Sequence, residues 1–238
     1  MDWNNDGKND LLVGNGIGEV TIFLNTNNNT NPVLDNGSFI QVNGINLDIG
    51  NRAAPVVDDW NGDGKKDLII GGFNGRINIY LNEGTDSSPV FNSSAKLQVG
   101  GAEYIVGVNS SRAAPRIYDW NQDGKKDLLV GDYYGYVYYL QNVGTNNAPV
   151  FNTSEKLLLL DSTPLRYLDS EYGNTPRSRL DVTDWNDDGY ADLIVGGGNG
   201  KLMVFTAAPE PASLILFIIG SGILGLSKLR KKFMLTDN

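Results

Sequence analysis

The chain is organised around the stretch Asp59-Trp60-Asn61-Gly62-Asp63-Gly64-Lys65-Lys66-Asp67-Leu68. Side-chain oxygens stand at its positions 1, 3, 5 and 9, and glycine stands at position 6. Alternate residues of a short loop can turn their oxygens inward, and glycine permits a sharp turn that a Cβ would obstruct. Because calcium is a hard cation that prefers oxygen ligands, the stretch predicts a calcium-binding loop.

The same ten-residue pattern begins at Asp2, Asp119 and Asp184, so the four copies are separated by 57, 60 and 65 residues. The similarity extends beyond the loops. Arg52-Ala53-Ala54-Pro55 returns as Arg112-Ala113-Ala114-Pro115, and Pro89-Val90-Phe91-Asn92 returns as Pro149-Val150-Phe151-Asn152. A tandem repeat of this period is typical of propellers, solenoids and arrays.

Each repeat shows the periodicity of β-strands. In the second repeat, an apolar run over 68–72 is followed by the turn Asn74-Gly75 and by alternating residues over 76–81. One strand before the loop and one after Pro-Val-Phe bring the expected number to about four antiparallel strands per repeat, the make-up of a propeller blade. No amphipathic helix is predicted before residue 212.

The predicted fold is therefore all-β, with propeller-type blades over residues 1–207 and one hydrophobic helix near the C-terminus. The first and last of the four repeats are incomplete, because the first begins at its loop and Pro209 stands where the last strand of the fourth should begin. We interpret Met1 as an internal start, with further blades and a secretion signal upstream. Residues 157–177 depart from the repeat and are expected to form a longer loop.

Composition excludes several functions. The chain has a net charge of −9, with no histidine and no cysteine. Imidazole acid–base catalysis, thiolate chemistry, disulfides and His-ligated zinc are thus absent. The acidity argues against a nucleic-acid partner, because no basic stripe is available for phosphates. It is concentrated in the loops, where four divalent cations would nearly cancel it.

The loop pattern, followed by an apolar strand, a glycine turn and a second strand, resembles the FG-GAP/VCBS repeat family over residues 2–206. This resemblance implies a propeller stabilised by about one structural Ca²⁺ per repeat, as in integrin-like heads and many bacterial surface proteins. It also implies the metal ligands, with the position-7 residue contributing its backbone carbonyl. These are Asp2, Asn4, Asp6, Lys8 and Asp10; Asp59, Asn61, Asp63, Lys65 and Asp67; Asp119, Asn121, Asp123, Lys125 and Asp127; and Asp184, Asn186, Asp188, Tyr190 and Asp192.

Residues 208–238 form a separate segment. Pro209-Glu210-Pro211 precedes an uncharged apolar run over 212–227, and Lys228-Leu229-Arg230-Lys231-Lys232 follows it. The run is marginally long enough for a transmembrane helix, and its basic end would stay cytoplasmic. The order resembles the PEP-CTERM sorting signal that bacterial exosortases are thought to process. A buried core helix is the alternative.

Several patterns have a simpler interpretation beside the functional one. The Asp/Asn loops could be solvated Asx turns. EF-hand and dockerin loops do not fit, since strands flank the loops and position 12 is apolar. The tryptophans at position 2 could stack on sugars, but packing between neighbouring blades is favoured. The run Tyr133-Tyr134-Gly135-Tyr136-Val137-Tyr138-Tyr139 could form a carbohydrate platform, although strand alternation would bury half of these tyrosines.

Together these observations predict an exported, non-catalytic calcium-binding propeller at a bacterial cell surface or in its extracellular matrix. It would bind glycan or protein, and the C-terminal helix would anchor it to the membrane until an exosortase-like enzyme acts on it. The acids outside the loops show no paired arrangement of the kind that glycoside hydrolysis requires. The alternative is the C-terminal accessory portion of a larger carbohydrate-active or lipase-type enzyme whose catalytic domain lies upstream.

Overall fold

The computed structural model describes residues 1–107, 112–159, 162–167, 176–198 and 200–206, and the backbone alone of 207–208, 218–219, 222–223 and 228–232. All regular elements in these residues are β-strands. The prediction of an all-β chain is therefore confirmed for the part that the structure describes.

The strands fall into four successive groups along the chain. The first group comprises β1 (Leu11–Gly14), β2 (Val20–Phe23), β3 (Ser38–Phe39), β4 (Gln41–Val42) and β5 (Ile45–Asn46). The second comprises β6 (Ala54–Asp58), β7 (Asp67–Gly71), β8 (Ile77–Tyr80), β9 (Ala95–Lys96), β10 (Gln98–Val99) and β11 (Ala102–Glu103). The third comprises β12 (Ala114–Tyr118), β13 (Asp127–Gly131), β14 (Val137–Leu140) and β15 (Glu155–Lys156). The fourth comprises β16 (Arg179–Thr183), β17 (Asp192–Gly196), β18 (Leu202–Ala208), β19 (Ile218–Ile219), β20 (Gly222–Ile223) and β21 (Lys228–Lys232).

Each group forms one antiparallel sheet in the same order. Sheet 1 is β1-β2-β3, sheet 2 is β6-β7-β8-β9, sheet 3 is β12-β13-β14-β15, and sheet 4 is β16-β17-β18-β21. The register repeats as well, since Ala54 pairs with Gly71 just as Ala114 pairs with Gly131. The short pairs β4-β5, β10-β11 and β19-β20 are separate hairpins. The repeat in the sequence is thus a repeat of antiparallel sheets, with three strands in sheet 1 and four in each of the other three.

Apolar side chains join the sheets face to face. Successive residues of a strand point to opposite faces, and β7 is buried along its whole length. Leu68 and Ile70 pack in a cluster with Val20 of sheet 1, whereas Ile69 packs in a cluster with Leu128 of sheet 3. Sheet 2 is therefore covered on both faces. This burial explains why the sequence of β7 contains a continuous run of apolar residues.

Three glycines permit the closest approach between neighbouring sheets. A Cβ on Gly71 would lie 2.2 Å from the carbonyl oxygen of Ala113, and one on Gly131 would lie 2.2 Å from that of Ser178. A Cβ on Gly14 would meet the Ala53 oxygen at 2.3 Å. The equivalent Gly196 differs, because a Cβ there would meet only atoms of its own sheet, the nearest at 3.3 Å. We call Gly14, Gly71 and Gly131 the seam glycines.

Each sheet has two distinct ends. The Asp/Asn loops join the first strand of a sheet to the second at one end, which we call the loop end. The turns between the second and third strands, such as residues 72–76 and 132–136, lie at the other end, which we call the hairpin end. The residue before each Ala53 or Ala113 reaches this same hairpin end, where Arg52 N and Arg112 N donate to Gly16 O and Phe73 O.

The predicted C-terminal helix over 212–227 falls on residues that lie outside the described part of the chain, apart from the short pieces β19 and β20. It therefore stays a prediction. Among the described residues, none belongs to a helix with the length and apolar character needed to cross a membrane. Of the predicted long loop over 157–177, the described part makes single bridges from Leu158 to Pro164 and from Tyr136 to Arg166.

Candidate metal centres at the loop end

The four Asp/Asn loops occupy equivalent places in the fold. Residues 59–66 join β6 to β7, residues 119–126 join β12 to β13, and residues 184–191 join β16 to β17, while residues 2–10 lead into β1. The motif therefore begins where the first strand of a sheet ends, and its last carboxylate starts or immediately precedes the next strand.

Side-chain oxygens of the second loop fold back onto its own backbone. Asp59 accepts hydrogen bonds from Asp63 N at 3.0 Å and from Gly64 N at 2.9 Å. Asn61 Oδ1 accepts from the same Asp63 N at 3.0 Å, and Asp63 Oδ1 accepts from Lys65 N at 2.9 Å. Oxygens of positions 1 and 3 therefore converge on one amide, as in a chain of Asx turns.

The same bonds recur in all four loops. The position-5 amide donates to the position-1 carboxylate in each: Asp6 to Asp2, Asp63 to Asp59, Asp123 to Asp119, and Asp188 to Asp184. The position-6 glycine has φ between 83° and 85° in every loop, and no atom lies within 4 Å of where its Cβ would be. Glycine is thus required there by the backbone conformation and not by crowding.

The position-9 carboxylate has a different role from the other three. Asp67 is fully buried, and it accepts hydrogen bonds from Trp60 N at 2.9 Å and from Asn82 N at 2.7 Å. Asp127 also accepts from the Tyr139 hydroxyl at 3.0 Å. Burial raises the pKa of both carboxyl groups. The bond from the position-2 amide occurs in every loop: Trp3 to Asp10, Trp60 to Asp67, Trp120 to Asp127, and Trp185 to Asp192.

The donor set of each loop suits calcium chemically. Carboxylate and amide oxygens supply positions 1, 3, 5 and 9, and an oxygen that accepts one backbone N–H keeps a second lone pair. Asp127 Oδ2 differs, because it accepts from both Trp120 N and the Tyr139 hydroxyl. Asp67 and Asp127 are buried carboxyl groups that accept hydrogen bonds from N–H and O–H groups, so a nearby cation would stabilise their ionised form. Within the described residues, however, no group of three or more Asp or Glu side chains is already arranged as a metal site.

Lysine at position 7 supplies local positive charge in two loops. Lys8 Nζ lies 3.6 Å from Asp6 Oδ2, and Lys65 Nζ lies 3.8 Å from Asp63 Oδ2. Both pairs are solvent-exposed, and such pairs contribute little to stability. The ammonium groups balance charge at the loops, and the position-7 carbonyls of Lys8, Lys65, Lys125 and Tyr190 stay predicted ligands.

Tryptophans at position 2 pack against the following sheet, as the sequence favoured. Trp60 stacks on Phe151 with ring centroids 6.0 Å apart, and Trp3 lies 6.5 Å from Phe91. Trp120 packs against the core cluster of sheets 3 and 4. Trp185 is 46% exposed, in line with its place on the last of the four loops.

Sequence reasoning did not identify the charged groups at the hairpin end. Arg52, Arg112 and Arg177 precede three equivalent sheet starts, and Phe73 and Tyr133 lie between them. The spacing of 60 residues between Arg52 and Arg112, which equals that between the second and third loops, could have indicated that these arginines are equivalent. Arg177 is followed by Ser178-Arg179 in place of Ala-Ala, which conceals the equivalence.

No protein-family model matches this chain, and the comparison with curated proteins finds no similar sequence. The FG-GAP/VCBS and PEP-CTERM resemblances therefore stay predictions that rest on the residues quoted above.

Proposed function

We propose that the chain is a non-catalytic, calcium-stabilised β-propeller that is exported and displayed at a bacterial surface or in its extracellular matrix, where it binds glycan or protein. The observation that carries this proposal is the four-fold recurrence of one acidic loop, at the same place in four antiparallel sheets, with the same hydrogen bonds. A loop that mattered only as a turn would not need three carboxylates each time.

The arrangement of the sheets favours the propeller. The first strands of sheets 2, 3 and 4 lie next to one another, β6 beside β12 and β12 beside β16. Sheets that pack face to face, with their first strands adjacent, are what blades around a common axis require. The predicted boundaries are 1–207 for the propeller and 208–238 for the sorting segment with its helix at 212–227.

Calcium would have a structural role. Bound at a loop, it would neutralise the half-exposed carboxylates of positions 1 and 5 and the buried one of position 9, which otherwise repel each other. Extracellular calcium modules bind with Kd of roughly 10⁻⁴ to 10⁻³ M, and this range suits an exported protein.

Thermal unfolding with and without calcium tests the scaffold. We expect millimolar calcium to raise the Tm relative to EGTA, to change tryptophan fluorescence, and to exceed the effect of equal magnesium. Asp63→Asn should reduce the calcium-dependent rise while leaving the Tm in EGTA nearly unchanged. Asp35→Asn is the matched control, because Asp35 makes the same kind of turn outside the loops. An identical Tm in calcium and EGTA would remove the metal from the proposal.

Membrane association tests the C-terminal segment. The full chain should partition with lipid vesicles, and a chain ending at residue 207 should stay in the supernatant. Equal partitioning of both chains would contradict the anchor.

A further inference from the structure

Three arginines from three consecutive sheets meet at the hairpin end. The carbonyl that follows each arginine abuts the seam glycine of the preceding sheet, so the repeat itself places Arg52, Arg112 and Arg177 in equivalent positions. Burial, and then the guanidinium groups of Arg177 and Arg52, lower the pKa of Arg112 to about 10. The like charges are therefore close enough to repel one another.

Aromatic rings alternate with these arginines. The guanidinium carbons of Arg52 and Arg112 lie 6.0 Å and 5.4 Å from the Phe73 ring, and those of Arg112 and Arg177 lie 5.0 Å and 6.0 Å from the Tyr133 ring. We call these five residues the arginine ladder. These distances are within the range of cation–π contacts.

Within the part of the chain that the structure describes, the ladder has no carboxylate partner. Among the described residues, no carboxylate forms an ion pair with its three arginines, although the chain as a whole carries nine more negative than positive charges. The buried Nε atoms of Arg112 and Arg177 have no hydrogen-bond partner in that part of the chain. Guanidinium groups prefer planar oxyanions, to which they donate in pairs.

A pocket adjoins the ladder. The Tyr134 ring lies 5.4 Å from the Tyr133 ring, edge to face, and borders a cavity of about 560 Å³ between sheet 3 and the residues that follow β11. On the side of sheet 3 it is lined by Tyr134, Tyr136, Tyr138, Lys156, Arg166 and one carboxylate, Asp132, which accepts a hydrogen bond from the Tyr138 hydroxyl. This volume lies within the usual range for ligand pockets.

Cations and rings are interleaved in the pocket as they are in the ladder. Lys156 Nζ lies 3.6 Å from the Tyr136 ring centroid, and the Arg166 guanidinium lies 4.9 Å from it. The equivalent positions of sheet 2 differ, because Arg76 and Asn78 stand where Tyr136 and Tyr138 stand in sheet 3. The pocket is thus a local feature of one repeat and not a by-product of the scaffold.

We infer that the arginine ladder and the adjoining tyrosine pocket form one binding strip for an acidic saccharide, whose pyranose rings carry carboxylate or sulfate groups. Such a ligand has apolar C–H faces that pack on aromatic rings and oxyanions that guanidinium and ammonium groups bind. The strip runs along the hairpin end, so several sugar rings can contact it at once. This inference rests on the proposed binding function, but it does not depend on calcium.

Calorimetric titration of the full chain, with excess calcium in both solutions, tests the inference. The probes are an alternating uronate–hexosamine oligosaccharide, a sulfated oligosaccharide of similar length, and a neutral one. We expect at least one acidic probe to bind at least tenfold more tightly than the neutral probe. If the sulfated probe binds and the uronate does not, the inference is upheld and the acid group of the ligand is assigned as sulfate.

Variants connect binding to the strip. Arg112→Gln and Lys156→Gln should each weaken binding about tenfold, and Arg112→Lys should lie between Arg112→Gln and the parent chain. Lys96→Gln is the matched control with the same change of charge, because Lys96 occupies in sheet 2 the place that Lys156 has in sheet 3 and contacts Asn78 there. Lys156 is exposed, so its substitution tests binding even if a change at Arg112 impairs folding.

Equal binding of acidic and neutral probes, or parent-like affinity in both the Arg112→Gln and Lys156→Gln chains, would overturn the inference. Calcium stabilisation without binding of any saccharide would overturn it while leaving the calcium scaffold intact. A chain that neither responds to calcium nor binds saccharide would contradict both the calcium scaffold and the saccharide-binding strip.

Discussion

The two ends of the same strands differ in how their charged groups are held. At the loop end, each Asp of the motif accepts hydrogen bonds from backbone N–H groups, and the buried Asp67 connects the loop to the strand that follows β7. At the hairpin end, arginines face aromatic rings and one another, and two buried Nε atoms lack partners among the described residues. The carboxylates of the loop end are thus held by the backbone of their own loop, whereas the arginines of the hairpin end lie against aromatic rings.

The sharpest test of the loop end is Asp127→Ala in EGTA. Its carboxylate accepts from Trp120 N, Asn142 N and the Tyr139 hydroxyl, and removing it would leave buried donors unsatisfied. We expect the free energy of unfolding to fall by about 4 kcal/mol in urea denaturation. Asp123→Ala, an exposed change in the same loop, should cost less than about 1 kcal/mol. Equal losses would mean that position 9 is no more structural than position 5.

The backbone of the hairpin end is tested by Gly71→Ala. The added Cβ would lie 2.2 Å from the Ala113 carbonyl oxygen, so sheets 2 and 3 would have to separate. We expect a loss of about 3 kcal/mol in the free energy of unfolding. Gly196→Ala supplies the control, because a Cβ there has no neighbour closer than 3.3 Å. If both variants unfold at the same denaturant concentration, the close approach between sheets is not what fixes their spacing.

Side chains of the hairpin end are tested by the salt dependence of Arg112→Gln. Removing one of three neighbouring guanidinium groups relieves repulsion but also loses two ring contacts, so we expect a net change below about 1 kcal/mol at low salt. Added sulfate, compared with chloride at equal ionic strength, should raise the Tm of the parent chain more than that of the variant. The same sulfate increment in both chains would indicate that no anion binds at the ladder.

The smallest expected effect concerns Asp132, which is buried beside the pocket. Burial raises the pKa of its carboxyl group, so the folded chain disfavours the ionised form. Because protonation is linked to folding, the parent chain loses stability as the pH rises from the ordinary Asp pKa, about 3.9, through the raised pKa of Asp132 in the folded state. Asp132→Asn lacks this loss, so its stability relative to the parent should increase between pH 4 and pH 7. A stability difference between the two chains that does not change with pH would contradict a raised pKa for the buried Asp132 carboxyl group.

Much of the fold could be predicted from the sequence, because the residues that determine each strand and turn lie close together within a repeat. The apolar run at 68–71, the turn at Asn74-Gly75 and the loop glycines determine strand, hairpin and left-handed turn from neighbouring residues alone. Alternation also predicted that the tyrosines would divide: Tyr139 is buried in the core, while Tyr136 and Tyr138 line the pocket.

The features that could not be predicted from the sequence depend on contacts between residues that are far apart in the chain. The ladder joins arginines 60 and 65 positions apart, and only the packing of sheets brings their charges together. The role of Asp67 was likewise predicted as a metal ligand alone. Its bond to Asn82 N requires the register of β7 with β8, which a motif of ten residues does not contain.

The seam glycines make the units interchangeable. At each seam glycine, a missing Cβ on one sheet faces a backbone carbonyl of the next, so this part of the contact does not depend on the side chains of the partner. A unit copied in tandem would bring with it both this main-chain fit and the apolar side chains that face its neighbour. At the seam glycines the fit between sheets comes from the main chain, so the hairpin residues can differ from one unit to the next. In the third unit, the residues from Tyr133 to Tyr138 differ in this way.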